Sequence, residues 1–286
     1  MLSYHRAGIC SAWLSCEKAM KLQVTKIDEK EGVMFRFYYT IVMRIHSIIW
    51  FVPKMRKYAK HPERYSEEDC HELCKVMIRK VAKTARATTS YYGLENLPAE
   101  GGYIMYSNHQ GKYDALGIMY GHPRPCRVLM NAKRAKMPIA NEYVALVRGK
   151  RIDHTDIRQQ VRCITEIGEE VKAGKVYLIF PEGGYRKDQD NVMNPFRSGC
   201  IRSALISERP MIPVAIVDSF KPFGIKGLKA VHTEVHYLPP IPYEEYAHMT
   251  PAAIAHMLQE RIADHMESVL GYSVRPVEND ETKTHH

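Results

Sequence analysis

Hydrophobic positions along the chain fall into two regimes. From Met34 to Val52 the chain is almost wholly apolar, yet Arg36, Thr40, Arg44 and Ser47 recur every three or four residues. That spacing is one polar stripe on a helix, with Phe37, Ile41, Ile45, Ile48 and Val52 on the opposite side. Its length would nearly span a bilayer. Arg44 at the centre would cost about 2.5–3.5 kcal/mol there. A helix lying in the membrane interface, with those five residues facing lipid, avoids that cost. A helix packed on the protein's own core is the alternative. Pro53 is expected to end or bend it. A second helix is expected from Ser66 to about Thr88, with Ser66 and Asp69 as a capping box and Leu73, Val76, Met77 and Val81 on one face.

The pattern then changes to short apolar runs alternating with helical periods. Tyr103–Tyr106, Arg127–Met130, Val176–Phe180, Ile212–Val217 and Val231–Tyr237 read as strands. Ile157, Val161, Ile164, Ile167 and Val171 mark a helix closed near Lys172 and Gly174. Ile201–Ser207 is a helix, and Thr250-Pro251 opens a last one carrying Ile254, Met257, Leu258, Ile262 and Val269. This alternation predicts an α/β fold. A mostly parallel or mixed central sheet is flanked by helices, and an amphipathic helical hairpin precedes it. The expected organisation is a poorly defined extension over 1–33, a membrane-docking region over 34–90, a catalytic domain over 91–274 and a polar tail over 275–286. Residues 1–33 fit neither a signal peptide nor a lipoprotein leader, and Met34 is an expected alternative start.

Charge sharpens the picture. Of the net +9, nearly all lies early: residues 1–90 hold 17 Lys+Arg against 9 Asp+Glu, and the rest hold 24 against 23. A basic excess beside an apolar helix suits an anionic membrane surface better than nucleic acid, for which there is no binding motif. The seven cysteines lie at irregular spacings, as expected of reduced thiols, and no metal or dinucleotide motif is present, so no cofactor is expected.

The candidate chemistry lies just past Tyr103–Tyr106, in Ser107-Asn108-His109-Gln110-Gly111-Lys112-Tyr113-Asp114. A loop through Gly111 can bring Asp114, at a helix mouth, onto one ring nitrogen of His109. The other nitrogen is then a base for a hydroxyl near neutral pH. A bare pair at this spacing reads better as a loop histidine and a helix-start acid, because such pairs are common by chance.

The longer string decides between these. Asn108-His109-x4-Asp114 after an apolar strand resembles the first motif of the glycerolipid acyltransferases, the 1-acylglycerol-3-phosphate acyltransferase family. Tyr92-Gly93-Leu94-Glu95-Asn96-Leu97-Pro98 resembles that family's approach to the motif, Phe180-Pro181-Glu182-Gly183 its third motif and Ile212-Pro213-Val214-Ala215 its fourth. The resemblance covers residues 92–243. It implies His109 as base and Asp114 as its orienter. The acceptor hydroxyl then attacks an acyl thioester directly, since no nucleophile elbow is present. Asn108 belongs to the same motif. Glu182 and Gly183 would hold the glycerol backbone. Lys133 would match a family lysine for phosphate. Where the family follows Gly183 with Thr-Arg, this chain has Gly184-Tyr185-Arg186, with the arginine one place late. In the family's second motif an arginine follows the strand. His154 stands at that place here, with Arg151 three residues earlier; Arg151 is expected to bind phosphate and His154 to help cap the next helix. The implied reaction acylates the sn-2 hydroxyl of lysophosphatidic acid, giving phosphatidic acid. The donor is acyl-CoA or acyl carrier protein, at the cytoplasmic face of the cell membrane in a peripheral or monotopic manner.

Overall fold

The computed structural model describes residues 35–137, 139–186 and 190–275. The expectations for residues 1–34, including the alternative start, and for residues 276–286 lie outside this set.

Residues 35–43 (α1) are helical, and after a break at Arg44 the chain continues as α2 (Ile45–Lys60). Pro53 does not end this helix; it lies exposed within α2, and the interruption falls at Arg44 instead. The polar stripe faces the protein, not solvent. Arg36 is fully buried and donates to the carbonyls of Gly227 (2.7 Å), Ala85 (3.2 Å) and Lys229 (2.8 Å). Thr40 is buried too, and Arg44 donates to the Thr84 hydroxyl. Of the five residues expected to face lipid, only Ile45 is fully exposed, and Phe37, Ile41 and Ile48 turn inward to line a cavity. The exposed apolar face is a different set: Phe35, Tyr38, Val42, Met43, Ile45, Ile49 and Trp50, of which Val42, Ile49 and Trp50 are each more than 60% exposed. Burying a charge is tolerated because three carbonyls receive it, and that choice rotates the helix.

The expected capping box opens α3 (Glu67–Thr84): Asp69 N–H donates to Ser66 Oγ and Ser66 N–H to Asp69 Oδ2. Cys70, Leu73, Cys74 and Ile78 are its buried face, while Val76 is exposed. The helix stops short of Thr88. Arg86 adopts φ +51°, and the Thr- and Tyr-rich segment that follows forms β1 (Ala87–Tyr92). Thus the expected boundary between residues 90 and 91 falls inside a strand.

After β1 come β2 (Tyr103–Ser107), α4 (Asp114–Gly121), β3 (Arg127–Asn131), α5 (Ala132–Ala135), α6 (Ala140–Leu146) and β4 (Lys150–Ile152). Then α7 (Ile157–Lys172), β5 (Val176–Ile179), α8 (Arg202–Ser207), β6 (Met211–Val217), α9 (Lys221–Gly224), β7 (Val231–Tyr237), α10 (Tyr243–Tyr246) and α11 (Pro251–Leu270) complete it. The seven strands form one sheet in the order β1-β7-β6-β2-β5-β3-β4, parallel except for β6 against β7.

Strand β2 lies between β5 and β6, and all three are buried on both faces, which explains their unbroken apolar runs. Its alternate residues point to opposite layers. Tyr103 and Met105 join Phe51, Met55, Leu73, Ile78, Ile118 and Val144 in one core; Ile104 and Tyr106 join Ile164, Ile167, Val171, Ala204 and Leu258 in the other. Helices α2 and α3 therefore share the central core of the sheet. Arg275, where the polar tail was expected to begin, is ion-paired with Glu260, Asp264 and Glu267.

Candidate active site

His109 leaves the C-terminal end of β2, and Asp114 occupies the first turn of α4, with Gly111 passing so close to Phe220 that an added Cβ would lie 3.3 Å from its Cα. The turn closes around the carboxylate. Asp114 Oδ2 accepts from His109 Nδ1 (2.6 Å), Gln110 N (2.6 Å) and Gly111 N (2.8 Å), and Asp114 is fully buried. A carboxylate accepts, so Nδ1 carries the proton and Nε2 is left as the basic nitrogen. Phe180 stacks on the imidazole with centroids 4.4 Å apart, and Tyr185 meets it edge-on at 4.9 Å. The ring is fixed on three sides, as a base must be if its lone pair is to be aimed.

His109 opens on a cavity of about 1040 Å³. Phe37, Ile41, Ile48, Met77, Val81 and Leu116 contribute apolar surface from α1 to α4. Met130, Met137, Ile139, Tyr143, Ile157 and Val161 contribute more from the β3–α7 segment. Ile157 and Val161, expected in the core, are instead exposed at this cavity. Such a space suits hydrocarbon chains.

Several expected site residues take other roles. Asn108 does not reach the cavity: its amide exchanges two hydrogen bonds with the backbone of Ile216, stitching β2 to β6. Glu182 likewise lies outside the cavity lining and meets the protein itself. It is buried, its Oε1 accepts from His109 N (2.8 Å), and its Oε2 accepts from Asn194 N and Nδ2 (both 3.0 Å). Burial pushes its pKa up to about 8, against the pull of those bonds. Gly183, at φ +71°, lines the cavity as expected.

The cations are redistributed. Lys133 is exposed and outside the cavity lining, whereas its neighbour Arg134 lines it; successive helical residues point about 100° apart. Arg151 donates to Asn141 O and Oδ1 and does not line the cavity; His154 does. Asp156, not His154, caps α7, accepting from Gln159 N. Arg186 is drawn to Asp190, 3.7 Å away, and is not part of the lining. Arg197 lies against Gly183 at the cavity. The signal for Arg134 and Arg197 was their adjacency to motif positions, which fixes the neighbourhood of a side chain but not its direction. Among the described residues no group of three His, Cys, Asp or Glu is placed to hold a metal ion.

The structure is an α/β protein with a His–Asp pair at the carboxyl end of a central strand, beside a large apolar cavity. Residues 88–217 match the model of the Acyltransferase family. The human 1-acyl-sn-glycerol-3-phosphate acyltransferase alpha is 27% identical over 158 residues, covering 53% of this chain and 54% of that protein. The chloroplastic 1-acyl-sn-glycerol-3-phosphate acyltransferase of Brassica napus is 28% identical over 148 residues, 49% of this chain and 41% of that one. The matches thus span about half of these curated relatives or less. Among solved structures, the 1-acyl-sn-glycerophosphate (LPA) acyltransferase PlsC from Thermotoga maritima superimposes with a TM-score of 0.66, covering 86% of this chain and 98% of that one. At 16% identity that likeness is one of fold. Over residues 88–217 the chain thus resembles the Acyltransferase family, and the curated relatives named above are 1-acyl-sn-glycerol-3-phosphate acyltransferases.

Proposed function

We propose that the protein transfers a fatty acyl group from an acyl thioester, acyl-CoA or acyl carrier protein, to the sn-2 hydroxyl of lysophosphatidic acid, forming phosphatidic acid. The observation that carries this reading is the His109–Asp114 bond at the wall of a large apolar cavity. His109 Nε2 takes the hydroxyl proton as the oxygen attacks the thioester carbon. Asp114 stabilises the imidazolium, which then returns the proton to the departing thiolate. Ser107 is no competing nucleophile: it is buried and donates to Asn108 O. The names of the relatives point to the same acceptor.

The exposed apolar face of α1 and α2 supports docking in a monotopic manner on the cytoplasmic face of the cell membrane. Lys54 lies over the Trp50 and Tyr58 rings and Lys57 over Tyr65, an aromatic and cationic fringe suited to an anionic interface. No helix among the described residues is long and apolar enough to cross a membrane. The decisive experiment supplies labelled acyl thioester with lysophosphatidate, glycerol 3-phosphate or a neutral lysophospholipid. Phosphatidate from lysophosphatidate is the expected product; turnover only with another acceptor replaces this reading.

A further inference from the structure

The sequence departs from its family right after Gly183, with a glycine and a tyrosine before the arginine. Three facts of the structure bear on that departure. First, Arg186 leans toward Asp190 and does not line the cavity. Second, the Arg134 guanidinium lies over the Tyr185 ring, 4.4 Å from its centroid, and both residues line the cavity. Third, Gly184 lies beside that guanidinium: a Cβ there would sit in van der Waals contact with Arg134 Nη2, at 3.4 Å. We propose that Arg134, seated over Tyr185 and beside Gly184, grips the phosphate of the acceptor in place of the displaced Arg186, with Tyr185 as its positioning residue.

The chemistry fits this arrangement. A guanidinium stacked by its face on an aromatic ring keeps its N–H edge free, and that edge can offer two parallel hydrogen bonds to phosphate oxygens. Among the described residues Arg134 has no acidic partner to occupy that edge. The same Tyr185 ring meets the His109 imidazole edge-on. One aromatic side chain thus spaces the anion-binding group from the base. In a 1-acylglycerol 3-phosphate the sn-2 oxygen and the phosphorus are four bonds apart, so the hydroxyl can sit at His109 while the phosphate sits at Arg134. Lys133, the neighbour singled out by sequence, is on the wrong side of the short helix to do this.

The inference rests on the acceptor reading above, and the test separates the two. The measurement is kcat/KM for lysophosphatidate relative to the phosphate-free 1-monoacylglycerol. In Arg134→Ala this ratio falls by about tenfold to a hundredfold, the size of one lost charge-assisted pair. Tyr185→Phe keeps the ratio, because the stack survives. Tyr185→Leu and Gly184→Thr lower it through the lysophosphatidate KM. A ratio unmoved in Arg134→Ala, or one lost in Arg186→Ala and kept in Arg134→Ala, overturns the assignment; a ratio unmoved in Tyr185→Leu overturns the positioning role. Should the wild-type protein acylate neither acceptor, the proposed function fails, and equilibrium binding of lysophosphatidate decides the subsite alone. Weaker binding by Arg134→Ala than by wild type supports it, and equal binding, or none by either, rejects it.

Discussion

At the scale of single residues, His109 and Glu182 do separate jobs. In the proposed reaction His109 is the base, and its bond to buried Asp114 sets which nitrogen is basic. His109→Ala is expected to cut turnover by about a hundredfold or more, the usual weight of a general base. Asp114→Asn should also slow turnover, because a neutral amide oxygen in place of the carboxylate stabilises the imidazolium less. Wild-type turnover by a folded His109→Ala protein rules out the mechanism.

Glu182 makes a pH prediction. Its carboxyl ordinarily titrates near 4.5, but burial in the folded protein raises it to about 8. Between those values the native state binds the extra proton, so stability falls as pH rises from 4.5 toward 8. Thermal melts of wild type and Glu182→Gln across this range should differ in slope, with the glutamine variant flatter. The substitution also sets an amide NH₂ against donors, because Oε1 faces the His109 N–H and Oε2 faces both donors of Asn194. A lower kcat at unchanged acceptor KM is therefore expected, measured by steady-state kinetics. A raised KM alone would mean that Glu182 touches substrate after all.

Among the elements, the N-terminal helices show how one buried charge sets an orientation. The periodicity of Met34 to Val52 established an amphipathic helix, and it left open whether the helix lies on lipid or on the protein's own core. The protein itself takes the polar stripe, and an exposed apolar face is left on the opposite side. Arg36 finds three backbone carbonyls, so the polar stripe turns inward, and Tyr38, Val42, Ile49 and Trp50 turn out. Ile49→Asp together with Trp50→Asp is expected to abolish flotation with anionic vesicles, each charge being costly in a hydrocarbon interface. Both side chains are exposed, so the melting temperature should move little. Undiminished flotation would locate the docking surface elsewhere.

For the whole molecule, the shared core has consequences for the 1–90 segment. Phe51, Met55, Leu73 and Ile78 pack with β2 and β6 residues, and β1 pairs with β7. Deleting residues 1–90 removes this packing and part of an edge strand. The remainder is expected not to fold, with loss of near-ultraviolet circular dichroism as the readout. A cooperative melt from residues 91–286 would show the helices to be an independent appendage.

Much of this was legible in sequence. Strands β2, β5, β6 and β7 are buried on one or both faces and announce themselves as apolar or alternating runs, and β3 is a short apolar run of the same kind. The capping box of α3 and the Thr250-Pro251 start of α11 are local chemistry, satisfied within four residues. The His109–Asp114 pair is equally local, since one turn closes it. By contrast β1 and β4 are short, only partly buried edge strands, and their polar character hid them. The sequence alone therefore determined the α/β class, most of its strands and the His109–Asp114 pair, because each depends on neighbours a few residues away. Only the tertiary structure decided the remaining assignments. It spent Asn108 on Ile216, closed Glu182 around the His109 loop, turned Lys133, Arg151 and Arg186 away from the cavity and brought Arg134 and Arg197 to it. Those outcomes depend on partners from distant parts of the chain and on the direction of a long side chain, which one-dimensional spacing does not encode.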